Sequence, residues 1–142
     1  MEGKLIGALE AGGTKMVCAV GRADGTVIES EQFPTTTPEE TMALVCSWFK
    51  ERDIDALGIG AFGPTAVNPN SERYGQILET PKTAWRYFDM LGAIKRGLDV
   101  PCGYDTDVNV ACLGECTFGC AQGYDNVVYL TIGTGVGAGV MI

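Results

Sequence analysis

The chain has 142 residues, 46% of them apolar and 20% charged, the balance of a globular domain able to bury a core and not of a disordered tail. Ten Lys and Arg against eighteen Asp and Glu leave a net charge of -8, which argues against a nucleic-acid or anionic-membrane partner, because no basic patch offsets it. No stretch approaches the roughly 20 uninterrupted apolar residues of a membrane span, and the first apolar run breaks at Glu10 without a small-residue cleavage site, so neither a membrane anchor nor a signal peptide is expected.

In chain order, residues 4–11 read as a strand, 15–21 as a second and 26–33 as a third, the last two joined by the hairpin turn Asp24-Gly25. Short turns between consecutive strands predict an antiparallel meander. Thr37 at N-cap, Pro38 at the first helical position and Glu40 closing a capping box start a helix that runs to about Arg52. Residues 54–62 are a strand ending in Gly60-Ala61-Phe62-Gly63-Pro64. Residues 74–80 read as a short extended piece, and Thr80-Pro81-Lys82-Thr83-Ala84-Trp85 as a loop. A helix over 88–98 stops before Pro101, a short strand spans 101–104, and Asp105-Thr106-Asp107 caps a helix over about 108–121. Residues 126–132 and 136–142 are strands joined by Gly133-Thr134-Gly135. The chain ends inside an apolar run, which reads as part of a longer protein.

Six cysteines and no histidine leave few ways to build a metal site. Cys18, Cys46 and Cys102 sit in apolar surroundings. Cys112, Cys116 and Cys120 recur every four residues, as on one helix face, where disulfide geometry is poor. Buried free thiols are the better reading than zinc, and a reducing cytoplasm follows.

Three segments carry chemistry. Gly12-Gly13-Thr14-Lys15 and Gly133-Thr134-Gly135 each join two apolar strands through a turn without bulk at its centre. Spacing alone fits an ordinary glycine hairpin, but two such turns facing one another hold nucleotide phosphates through backbone N–H groups and hydroxyls. The run Gly133-Thr134-Gly135-Val136-Gly137-Ala138 also fits a dinucleotide fingerprint, yet that motif must open a helix, and here the continuation reads as strand. In Asp105-Thr106-Asp107-Val108-Asn109, two carboxylates stand at a helix start. One is expected to cap and the other to take a proton from an attacking hydroxyl.

With these motifs in this order, the chain resembles the N-terminal half of a ROK-family sugar kinase, most like a bacterial fructokinase. The resemblance implies an α/β fold of the actin-like ATPase (ribonuclease H-like) type, a mixed sheet with the three-strand meander and flanking helices. It implies that residues 1–122 form the first domain and 123–142 begin the second. Glu10-Ala11-Gly12-Gly13-Thr14-Lys15 resembles the first phosphate motif, with Glu10 where the family usually has Asp, as an organiser of Mg2+. Thr131, Gly133, Thr134 and Gly135 match the second phosphate motif, with Thr131 at the ATP contact. Gly63 and Pro64 match the loop over the hexose, and Thr80 to Trp85 a fructokinase-type segment.

Asp107-Val108-Asn109-Val110-Ala111 with Gly114-Glu115 resembles the catalytic segment, which assigns the general base to Asp107 and sugar contacts to Thr106 and Asn109. Thr106 replaces the Asn of glucose and mannose-type kinases. The implied activity is transfer of the γ-phosphoryl group of ATP to a hexose, D-fructose first among candidates. A kinase for mannose, glucose or N-acetylmannosamine, or a non-catalytic sugar-binding regulator, is the alternative. The resemblance also implies zinc ligands, a sugar-binding Glu and His and the adenosine pocket beyond Ile142, and a homodimer of the full-length protein.

Overall fold

The computed structural model describes residues 3–133 and 135–142. Ile6–Ala11 (β1), Lys15–Gly21 (β2) and Val27–Pro34 (β3) form the expected meander. Pro38–Lys50 (α1), Ala56–Ala61 (β4), Met90–Gly97 (α2), Cys102–Thr106 (β5) and Asp107–Phe118 (α3) follow, then the hairpin Val127–Ile132 (β6) and Val136–Met141 (β7). The first five strands make one mixed sheet in the order β3-β2-β1-β4-β5, with β1, β4 and β5 parallel. The hairpin is a separate two-stranded sheet.

Strand alternation sorts the two faces. Leu9 and Ala11 of β1, with Leu57, Ile59 and Ala61 of β4, are buried on the side of α1 and α2, together with Val45, Phe49, Leu91 and Ile94. At Gly7 this face is so close that a Cβ would meet Ile54 Cδ1 at 2.6 Å and Phe49 Cε1 at 3.0 Å. The opposite face carries Ala8 and Glu10 paired beside Gly58 and Gly60, and α3 lies on it. A Cβ at Gly60 would stand 3.2 Å from Val110 Cβ and 3.3 Å from Asp107 Cα. The small strand residue is what lets the first turn of α3 sit on the sheet.

Local chemistry corrects several boundaries. Thr37 caps α1 by accepting from Glu40 N–H at 3.3 Å, as its sequence requires, but the Glu40 carboxylate accepts from Thr36 Oγ1 at 3.1 Å in place of closing the box. The cap of α3 is neither aspartate. Thr106 Oγ1 accepts from Asn109 N–H at 3.1 Å, so β5 runs straight into the helix. Helix α3 ends at Phe118, because Glu115 draws the chain out of register by accepting from Cys120 N–H at 2.9 Å. Cys120 is therefore exposed and off the helix, whereas Cys112 is buried; all six thiols are free. Residues 74–80 form only the bridges Thr65–Ile77 and Gln76–Asp89, and Thr83–Trp85 is one 3-10 turn. No helix among the described residues is long and apolar enough to cross a membrane.

Candidate functional site

Three parallel strands end at the same edge of the sheet, where ligand crevices of open α/β sheets lie. β1 leads into Gly12-Gly13-Thr14, β4 into Phe62 and Gly63, and β5 into Asp107. A cleft of about 750 Å3 opens there, lined by Gly13, Thr14, Gly63, Thr106, Asp107, Thr131, Gly133 and Gly135, with Val108, Val136 and Gly137. Both glycine turns, the loop after β4 and the aspartate thus surround one opening. Thr134 lies outside the described residues.

The first turn is braced from within. Gly12 N–H donates to the Lys15 carbonyl at 3.0 Å, and the Gly12 carbonyl accepts from Thr35 Oγ1 at 2.8 Å. Thr35 N–H donates to the Thr14 carbonyl at 3.0 Å. Gly12 is therefore a hinge of the turn and does not line the cleft, nor does the exposed Lys15. Among the described residues neither the Gly13 nor the Thr14 N–H has an acceptor, which leaves both free for an anion. The second turn is closed by Gly133 N–H donating to the Gly135 carbonyl at 2.9 Å.

The two aspartates differ in what engages them. Asp105 Oδ1 accepts from Thr106 N–H at 2.7 Å and from Asn109 Nδ2 at 2.8 Å. Asn109 is thereby turned to Asp105 and does not line the cleft. Among the described residues Asp107 Oδ1 accepts only from the adjacent Val108 N–H, at 2.9 Å. Asp107 faces both the main cleft and a groove of about 390 Å3 that Glu10, Gly58, Gly60 and Tyr129 also line. Glu10, which sequence reading ties to the first turn, thus shares its groove with Asp107 across the α3 face of the sheet. Two carboxylates with no soft ligand suit Mg2+, which takes one or two carboxylates together with phosphate oxygens. Among the described residues no group of three or more Cys, Asp and Glu is placed to hold an ion.

The loop after β4 has its own support. Thr65 Oγ1 donates to the Gln76 carbonyl at 2.9 Å, and having no second proton it accepts the Tyr104 hydroxyl at 2.5 Å. Burial pushes the Tyr104 phenol up to about 12, so it remains a donor at neutral pH. Pro64 does not line the cleft; its carbonyl accepts from Leu78 N–H at 2.8 Å. Sequence reading missed Thr35, Gly60 and Tyr104 as supports. Only the Gly-x-Gly spacing of 58 and 60 gave a signal.

Residues 6–142 match the ROK family. The chain is 51% identical over 137 residues to a fructokinase from Pediococcus pentosaceus, covering 96% of this chain and 48% of that protein. It is 43% identical over 135 residues to a fructokinase from Lactococcus lactis, covering 95% and 46%. Among solved structures it superposes with a TM-score of 0.82 on a ROK family glucokinase from Streptomyces griseus in complex with glucose and AMPPNP, at 29% identity, covering 97% of this chain and 44% of that one. The chain spans about half the length of the curated relatives it matches.

Proposed function

The chain belongs to the ROK family, with its actin-like ATPase fold, and on that premise we propose that it serves an ATP-dependent fructokinase, forming fructose 6-phosphate. The observation that carries this reading is the single cleft lined by both glycine turns, the sugar-side loop and Asp107. Residues 1–122 would be the first domain and 123–142 the start of the second, in a protein that works as a homodimer. Six free thiols suit a reducing cytoplasm.

In this mechanism Asp107 takes the proton of the sugar hydroxyl as that oxygen attacks the γ-phosphorus and the bond to the ADP oxygen breaks. Its Oδ1 bond to Val108 N–H holds Asp107 in place at the start of α3. The free N–H groups of Gly13 and Thr14 hold phosphate oxygens, and Thr131, Gly133, Thr134 and Gly135 grip the nucleotide from the other side. Glu10, which shares a groove with Asp107, would help to hold Mg2+, which would supply neutralisation of the phosphate charge. Gly63 and Thr106, both on the cleft, would meet the sugar, with Pro64 and Asn109 behind them as supports.

Coupled ADP release by the full-length gene product tests the reading on fructose, mannose, glucose and N-acetylmannosamine. Turnover is expected to be fastest with fructose. Absence of turnover with every sugar would remove the kinase assignment, and preference for another hexose would remove the fructose one.

A further inference from the structure

The 3-10 turn Thr83–Trp85 packs beside the first glycine turn and has no part in the mechanism above. Its anchor is Trp85, 2% exposed, whose Nε1–H donates to the Thr36 carbonyl at 2.9 Å and whose ring meets Phe62 and Phe88 edge-on at 6.0 and 5.4 Å. Arg86 Nε donates to the Thr80 carbonyl at 2.7 Å, and Leu78 N–H to the Pro64 carbonyl at 2.8 Å. Residues 78–86 are therefore fastened to the sugar-side loop at one end and to the exit of β3 at the other.

Between these fastenings Lys82 lies across Gly13. A Cβ on Gly13 would stand 2.8 Å from Lys82 Cε and 3.4 Å from its Cδ, so the lysine stem runs over the turn only because the residue there is glycine. Lys82 is exposed and forms no salt bridge among the described residues, although the chain carries a net charge of -8. Its stem rests on the residue whose N–H is free and which lines the cleft with Asp107. Lys82 lines the adjoining groove with Thr35 and Trp85 and not the cleft itself. An ammonium on a stem beside Gly13, with no carboxylate partner among the described residues, can reach an anion brought onto that turn.

We propose that Lys82 is a phosphoryl-binding residue, its ammonium contacting the terminal phosphoryl group on the Gly13-Thr14 turn. The proposal rests on the kinase reading above. As the sugar oxygen bonds to phosphorus, the bond to the ADP oxygen breaks and the hydroxyl proton passes to Asp107. Lys82 keeps its proton throughout and neutralises charge on the oxygens of the group in flight. The fastening of residues 78–86 to the loop after β4 and to the exit of β3 keeps Lys82 beside Gly13 of the first turn.

The test compares Lys82→Met and Lys82→Arg in the full-length gene product. For Lys82→Met, kcat is expected to fall roughly 100-fold, with KM for fructose within about threefold of wild type and an unchanged melting temperature. Affinity for AMPPNP should weaken about tenfold while affinity for ADP, which lacks the γ-phosphate, stays within about twofold; Lys82→Arg should recover at least about tenfold of the lost rate. A Met variant with wild-type kcat and AMPPNP affinity, or equal weakening for ADP and AMPPNP, overturns the proposal. If the wild type turns over no sugar, the kinase reading fails by itself, and the AMPPNP and ADP titrations still decide the role of Lys82.

Discussion

The two glycine turns are alike in sequence and unlike in support. Gly12-Gly13-Thr14 joins two strands of a five-stranded sheet, is tied to Thr35 by two hydrogen bonds and lies under Lys82. Gly133-Thr134-Gly135 joins a hairpin that rests on α3: a Cβ at Gly139 would run into the Val108 carbonyl oxygen, and one at Gly137 would meet Val108 Cγ1 at 3.1 Å. The outer residues of that hairpin are bare, Ile132 at 77% and Val136 at 74% exposure. One turn is set by its own sheet; the other takes its position from the first turn of the helix that carries Asp107. The geometry of the whole cleft is thus referred to α3.

The hardest break in this arrangement is at the shared point. Asp107→Asn keeps size and the backbone contact but not the base, and a general base typically contributes roughly 10²–10⁴ in rate. In the full-length protein kcat should fall by that factor with the melting temperature unchanged, whereas Asp105→Asn should act through stability, since Asp105 is bonded to Asn109 and to Thr106 N–H. Steady-state kinetics with thermal melts on the two variants separates these. Near-normal turnover in Asp107→Asn beside an inactive Asp105→Asn would move the base.

The contrast between the turns is sharpened by matched substitutions. Gly12→Ala places a Cβ 2.6 Å from the Lys15 carbonyl oxygen, in backbone that the sheet holds, and should cost about 1–3 kcal/mol. Gly135→Ala meets nothing within 4 Å and should leave stability within about 0.5 kcal/mol. Urea unfolding of both reads the difference, and equal losses would show that the second turn is as constrained as the first. Thr35→Val tests the brace itself. It removes the hydroxyl bond to Gly12 and leaves the backbone bond to Thr14, so a loss of about 1 kcal/mol is expected, with the KM for ATP rising a few-fold.

Much of this arrangement is written in local sequence. The meander follows from apolar runs and the Asp24-Gly25 turn, where Gly25 takes φ +91°, and β2 matches its predicted bounds of 15–21. Motif order places Gly12, Gly13, Thr14, Lys15, Asp107, Thr131, Gly133, Thr134 and Gly135 on one list; of the described ones, the structure brings Gly13, Thr14, Asp107, Thr131, Gly133 and Gly135 to one cleft and leaves Gly12 and Lys15 off it. What was not legible depends on contacts between distant segments. Thr106 outcompetes two aspartates as cap because β5 ends pointing its hydroxyl at Asn109 N–H, a matter of strand direction. Gly12 and Asn109 look like ligand residues in a motif, yet Thr35 and Asp105 engage them. Lys82 is 69 positions from Gly13 in sequence, and only the packing of Trp85 brings them together.

Alkaline pH gives the gentlest probe of the sheet that braces the first turn. Burial raises the Cys18 thiol from 9.0 to about 12 and the Tyr104 phenol from 10.0 to about 12. Their folded values lie above the unfolded ones, so the unfolded chain releases its protons first. The stabilisation is complete below about pH 9 and is lost as the pH climbs towards 12. Burial raises the Cys46 and Cys102 thiols as well, so Cys18 shares the loss between pH 8.5 and 9.5 with them, and Tyr104, whose unfolded value lies higher, contributes less. Cys18→Ala removes a thiol that is fully buried in β2 and so lowers stability at every pH; the diagnostic quantity is the slope. Between pH 8.5 and 9.5 the unfolding free energy of the full-length protein should fall by less in Cys18→Ala than in wild type. A wild-type slope that survives in Cys18→Ala would mean that the alkaline loss arises elsewhere than in the strand holding the first turn.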